Sequence, residues 1–210
     1  MNIIKSGIIF DKKYTYSYRD KYNEQCKCRE CTLFRSQFSK NYPTAVSFLS
    51  EFGVDVDYPL EIMDNGIDDR DLKRRYYVYY CVKGELPCNK IEGNIEDIPV
   101  TLRNWNIASE TYANTGMDKP YFIIELGEIT INDNRGLISH ALEMGREIEF
   151  RYKDKNYFIS RHKVNNWYLY CEQTKSTQTF YSSEDLLTKA TLDNIDINSV
   201  WDEIIVDYIL

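Results

Sequence analysis

The sequence predicts an α+β protein in two parts, made mostly of antiparallel sheets with a few short helices. Three observations predict it. Short segments alternate apolar and polar residues, most clearly Ile148, Phe150 and Tyr152 against Glu147, Glu149 and Arg151. That period of two marks a half-buried strand. The chain holds 18 tyrosines, a residue suited to half-buried strands and binding surfaces because its ring is apolar and its tip polar. Runs at helical spacing are few and short, such as Cys31, Phe34 and Phe38.

In chain order, residues 8–10 and 14–18 flank Asp11-Lys12-Lys13 and read as an opening hairpin with Tyr14, Tyr16 and Tyr18 on one face. The helix of Cys31, Phe34 and Phe38 follows. A second helix starts at Pro43, a favourable first-turn position. Its buried stripe is Ala45, Val46, Leu49 and Phe52, and Gly53 caps its end. Residues 54–71, with Pro59, Asn65-Gly66 and several acids, read as a long connection. Strands are expected at 76–82, 100–105 and 121–126, the last with Phe122, Ile124 and Leu126 alternating.

The pattern breaks at Asn132-Asp133-Asn134. This divides an N-terminal α+β domain with the cysteine cluster, 1–131, from a small α+β domain, 134–210. The second part reads as a helix over 137–144 ended by Gly145, a strand over 148–152, and a turn over 153–156. A return strand over 157–160 and a hairpin of 167–171 with 177–181 come next. Ser182 then opens a helix in a capping-box pattern, with Asp185 in place of the usual Glu. Residues 200–210 hold a last strand.

Composition bounds the function. Hydrophobic residues at 43% and charged residues at 28% make an ordinary globular chain and exclude disorder. The net charge of −7 repels a phosphate backbone, so direct nucleic-acid binding is not expected. It favours solubility, or a basic partner. The opening MNIIKSGIIF has too short an apolar run for a signal peptide. No stretch approaches the ~18 apolar residues of a membrane helix. A cytoplasmic protein without a membrane partner is expected, with its six cysteines as thiols or metal ligands.

Cys26, Cys28 and Cys31 are the sharpest chemical feature. Thiolates this close share a metal, and zinc prefers four ligands in a tetrahedron. Cys88, in a loop after Pro87, is the candidate fourth ligand, with Cys81 or a histidine as alternatives. The cofactor expectation is therefore one structural zinc or none. Without metal, these are small apolar thiols at a helix start.

No catalytic residue is assigned. His140 and His162 read as surface residues, and no phosphate loop, dinucleotide fingerprint or nucleophile elbow occurs. Asp64, Asp68, Asp69 and Asp71 lack calcium-loop spacing and read as a solvated acidic loop. Plentiful carboxylates keep an acid/base enzyme as an alternative.

Three surfaces are candidates for a partner. Tyr77 and Tyr79, with Arg75 nearby, share a strand face opposite Tyr76, Val78 and Tyr80. Tyr168 and Tyr170 face opposite Trp167 and Leu169. Tyr and Arg are enriched at interface hot spots; burial of both sheet faces is the alternative. The acidic connection with Asp64, Asp68 and Asp69 is the third, suited to steering a basic partner.

Cys26, Cys28 and Cys31, then Tyr42, Pro43, Phe48, Leu49, Phe52, Gly53 and Asp55, then Tyr80, Val82 and Gly84 carry a resemblance. They resemble a family of uncharacterised bacterial proteins with an N-terminal CxCxxC cluster, a YP…FL…FG(V/I)D segment and a later Y-x-V-x-G element. The resemblance covers roughly residues 8–130. The tail is similar to small stand-alone bacterial proteins of unknown role. In general character the chain resembles immunity proteins of toxin systems and phage inhibitors of defence nucleases. The resemblance implies a cytoplasmic inhibitor that neutralises a toxin or nuclease by direct binding. A structural zinc module within a larger assembly is the alternative from another class.

Overall fold

A computed structural model describes residues 7–20, 25–68, 70–108, 116–163 and 166–210. The fold is α+β with antiparallel sheets. The chain divides into two compact units, residues 1–66 with 74–131, and residues 67–73 with 132–210. Among the described residues, no helix is long and apolar enough to cross a membrane.

The first unit opens with β1 (Ile9–Phe10), α1 (Lys12–Ser17), α2 (Arg29–Asn41) and α3 (Pro43–Glu51). Next come β2 (Glu61–Asp68), β3 (Lys73–Glu85), β4 (Lys90–Ile95), β5 (Ile98–Asn104), α4 (Trp105–Ala108) and β6 (Tyr121–Ile131). The sheet order is β1-β3-β6-β5-β4, and β2 also pairs with β3. One face packs under α2 and α3: Phe34, Phe38, Phe48, Leu49 and Phe52 meet Tyr76, Val78, Tyr80, Leu102, Phe122 and Ile124. Each such fully buried side chain is worth about 1.5–3 kcal/mol of transfer free energy. The other face carries a smaller cluster of Tyr18, Leu60, Tyr79, Cys81, Met117, Tyr121 and Ile123.

Two expectations are corrected here, and one strand had no expectation at all. The opening hairpin is instead β1 followed by α1. Asp11 caps that helix, its carboxylate accepting from Tyr14 N at 2.8 Å. Tyr14 and Tyr18 lie four apart and fit a helix as well as a strand. Tyr18 is buried while Tyr16 is exposed, so the three tyrosines do not share a face. The expected long connection contains β2, whose side chains are mostly exposed. It is joined through its backbone, which leaves no apolar pattern to read. Strand β4 lacked a signal because its two-residue turn to β5 is Glu96-Asp97, with Glu96 at φ 52°, where Asn or Gly is usual.

Gly53 does end α3, at φ 82°. A Cβ there would collide with the Lys12 carbonyl, so glycine also lets α1 approach.

The second unit runs α5 (Asn134–Glu143), β7 (Ile148–Tyr152), β8 (Lys155–Lys163), β9 (Asn166–Cys171), β10 (Ser176–Phe180) and α6 (Ser183–Lys189). A small hairpin, β11 (Thr191–Leu192) with β12 (Ile195–Asp196), precedes β13 (Ile205–Ile209). The sheet order is β10-β9-β8-β7-β13. Ile138 and Leu142 of α5 and Leu186 and Leu187 of α6 pack with Ile148, Phe150, Ile159, Trp167 and Leu169. Ser182 caps α6 as its sequence suggests, Oγ accepting from Asp185 N at 3.0 Å. Asp133 caps α5 in the same way, accepting from Gly136 N at 2.9 Å.

Candidate metal centre and binding surfaces

Helix α2 is fixed by its apolar stripe: Cys31, Phe34 and Phe38 are buried. Cys31 therefore points inward in the first turn, while Cys26 and Cys28 are exposed ahead of it. Cys28 takes the N-cap position, and its sulfur accepts from Cys31 N at 3.4 Å. Thr32 Oγ1 donates to the Cys28 carbonyl at 2.9 Å, and the Arg35 guanidinium donates to the Cys26 carbonyl. These contacts tie the preceding segment to the helix. The three sulfurs lie within 4.8 Å of one another, close enough to bind a metal ion.

The three thiols are electrostatically unequal. The Cys26 thiol is lowered, first by the Cys28 backbone N–H, then by the Cys28 and Cys31 thiols, with a further contribution from the Arg35 charge. The Cys31 thiol is pushed up to about 12, first by burial and then by its two neighbours. The exposed Cys26 thus gives up its proton more readily than the buried Cys31, ahead of a helix N-terminus that favours anions. A dication held by Cys26, Cys28 and Cys31 would favour the thiolate form of all three.

Cys88 is not in this group. It is exposed, and its thiol donates to the Lys90 carbonyl at 3.2 Å. Cys81 is buried with Tyr79 and Ile123 in the smaller cluster on the other face of the sheet. Among the described residues the gathered set is Cys26, Cys28 and Cys31.

The tyrosine face of β3 is only partly as expected. Tyr76, Val78 and Tyr80 do share the helix-covered face. Tyr79, however, is 6% exposed and unavailable to a partner, because Tyr18, Leu60 and Met117 cover that side. Tyr77 lies over Gly127, where a Cβ would meet the ring at 2.8 Å. Its hydroxyl donates to Glu128 Oε1 at 2.6 Å. That bond, then burial, pushes the phenol up to about 12. Arg75 Nη1 also reaches Glu128, at 3.3 Å. Both candidate side chains are thus engaged with one carboxylate.

The acidic segment is largely neutralised where it stands. Asp64 pairs with Arg74 at 2.6 Å, Asp68 with Arg70 at 2.5 Å, and Asp55 with Arg19 at 3.0 Å. Asp69 lies outside the described residues.

On β9 the alternation holds. Trp167 and Leu169 are buried; Tyr168 and Tyr170 are half-buried on the opposite face. His162, exposed, stacks on Tyr168 with ring centroids 4.9 Å apart. His140 is also exposed. Beside Tyr170 lies a cleft of about 550 Å³ whose lining includes Glu149, Phe158, Glu172, Asp207 and Tyr208. Sequence analysis did not single out Glu149, Phe158 and Tyr208, which line this cleft. Their grouping follows from strand register, which no local pattern carries.

Comparison with protein-family models, curated proteins and solved structures found no match for this chain.

Proposed function

We propose that the protein binds one zinc ion through Cys26, Cys28 and Cys31, and that the ion fastens the segment before α2 to the helix. The single observation behind this is the gathering of three sulfurs within 4.8 Å at an exposed helix start. Three thiolates fill three positions of a tetrahedron and leave the fourth to water or an incoming ligand. Cobalt(II) titration of the metal-free full chain is the test. One equivalent is expected to give thiolate-to-cobalt absorption. Cys28→Ser should remove it and Cys88→Ser should leave it intact. Absence of that absorption, or its persistence in Cys28→Ser, would overturn the reading.

A second reading is favoured by a separate observation, the half-exposed Tyr168 and Tyr170 beside an acid-lined cleft. We infer that the protein acts by binding another protein, as a cytoplasmic immunity or inhibitor protein that neutralises a toxin or defence nuclease. Aromatic rings at low entropic cost, set in an acidic chain, support it. Affinity capture with the wild type and a Tyr168→Ala/Tyr170→Ala variant tests it. One protein retained in equimolar amount by the wild type and lost by the variant is the expected result. Equal recovery by both would count against it.

A further inference from the structure

We propose that the cleft on the outer face of the second sheet binds an arginine side chain of the partner. This rests on the second reading above and names the chemistry that face selects.

The register sets out one row across the sheet. Tyr208 of β13 pairs with Glu149 of β7, Glu149 with Phe158 of β8, and Phe158 with Tyr170 of β9. Side chains directly opposite in antiparallel strands stand about 4.5–5.5 Å apart at Cβ. A carboxylate therefore sits between aromatic rings on both sides. Tyr208 is 63% exposed, and Glu149 is also exposed.

The neighbouring row is already satisfied. Asn156 donates to Glu172 Oε2 at 2.9 Å, and the Arg151 guanidinium grips both oxygens of Asp207 at 2.8–3.0 Å. Glu149, by contrast, makes no side-chain hydrogen bond or ion pair with the described residues. Among the described residues Lys175 is the one base lining the cleft, against Glu149, Glu172 and Asp207.

This selects the occupant by charge. An anionic segment would meet Glu149 and Glu172, beside an Asp207 already paired with Arg151. A neutral apolar segment would strip water from Glu149 and give nothing back, a costly burial. A guanidinium does both things the row asks: it stacks on aromatic faces and forks onto a carboxylate. An ammonium is a point charge without the planar fork, so it serves the ring and the carboxylate less well. The net charge of −7 adds long-range attraction for a basic partner.

The test uses the full chain and a fluorescein-labelled (Arg-Ser)4 peptide, read by anisotropy, with (Lys-Ser)4 alongside. The arginine peptide should bind more tightly than the lysine peptide. Glu149→Gln should weaken it about tenfold, the loss of roughly one charge-assisted bond. Tyr208→Ala should weaken it a few-fold. Glu184→Gln removes an exposed acid of α6 that does not line the cleft, and should change nothing. Unchanged circular dichroism in each variant confirms that it folds.

Equal affinity for the two peptides, or equal behaviour of Glu149→Gln and Glu184→Gln, would reduce the binding to diffuse charge and overturn the proposal. So would self-association of the chain that is lost in Tyr208→Ala, since a second copy would then fill the cleft. If Tyr168→Ala/Tyr170→Ala loses a captured partner while Glu149→Gln keeps it, the arginine assignment fails and the protein-binding reading stands. If neither variant loses it, both fail.

Discussion

Strands β3 and β9 carry similar tyrosine-rich alternation and meet different fates. On β3, Tyr76 and Tyr80 are buried under helices, and Tyr79 is buried on the opposite face by Tyr18, Leu60 and Met117. Tyr77 alone stays half-buried, tied to Glu128. On β9, Trp167 and Leu169 face the helices of their own unit, while Tyr168 and Tyr170 remain half-exposed. An alternating strand specifies two faces. It does not specify whether the second face has a cover. A tyrosine becomes a core residue or a binding residue according to what the rest of the chain lays over it.

Six substitutions test that contrast, and the first should have the largest effect. Phe122→Ala, in the doubly covered sheet, should cost about 3–5 kcal/mol of stability, whereas Phe158→Ala on the outer face of the other should cost less than about 1.5. Urea unfolding measures both. Comparable losses would show that the outer face behaves as core.

Next comes Asn104, which is 7% exposed. Its side chain accepts from Leu86 N at 2.9 Å and donates to the Leu86 and Cys88 carbonyls at 3.2 and 3.0 Å. Asn104→Ala strands these buried groups and should cost about 1–3 kcal/mol by the same measurement. Asn156→Ala, on an exposed residue of the other sheet, should stay within about 0.5 kcal/mol. Ser182→Ala, which removes the cap of α6, should cost about 1 kcal/mol.

The smallest effect is a pH dependence. The Tyr77 phenol is raised to about 12, chiefly by its bond to Glu128. In the unfolded chain it ionises near 10. Between roughly pH 10 and 12 the folded state holds the proton and the unfolded state releases it, so stability falls as pH rises through that window. Tyr77→Phe should flatten this part of the stability–pH curve while leaving the curve below pH 9 parallel to the wild type. An unchanged slope would show that the Glu128 bond does not hold the proton.

Much of the fold was legible because its signals are local. Ile148, Phe150 and Tyr152 form a strand because their period buries one face. Pro43 and Gly53 delimit a helix through their own backbone preferences. Ser182 caps one because its hydroxyl reaches an N–H three residues on. The cysteine cluster was legible for the same reason: Cys26, Cys28 and Cys31 approach through a cap and a single helical turn. Where the signal was ambiguous, the reading went astray. The spacing of Tyr14 and Tyr18 satisfies two periods, and only Asp11 selects the helix.

By itself, then, the sequence determined the α+β class, most elements and the three gathered thiols, since each depends on residues within a few positions of one another. The tertiary structure alone decided that β2 is a strand, that Tyr79 is buried, that Cys88 stands apart, and that Tyr208, Glu149, Phe158 and Tyr170 line up across four strands. Those facts depend on register and on covering segments far away in the chain. The interactions that fix them are backbone pairing and packing between distant residues, which leave no periodic mark on the residues they bring together.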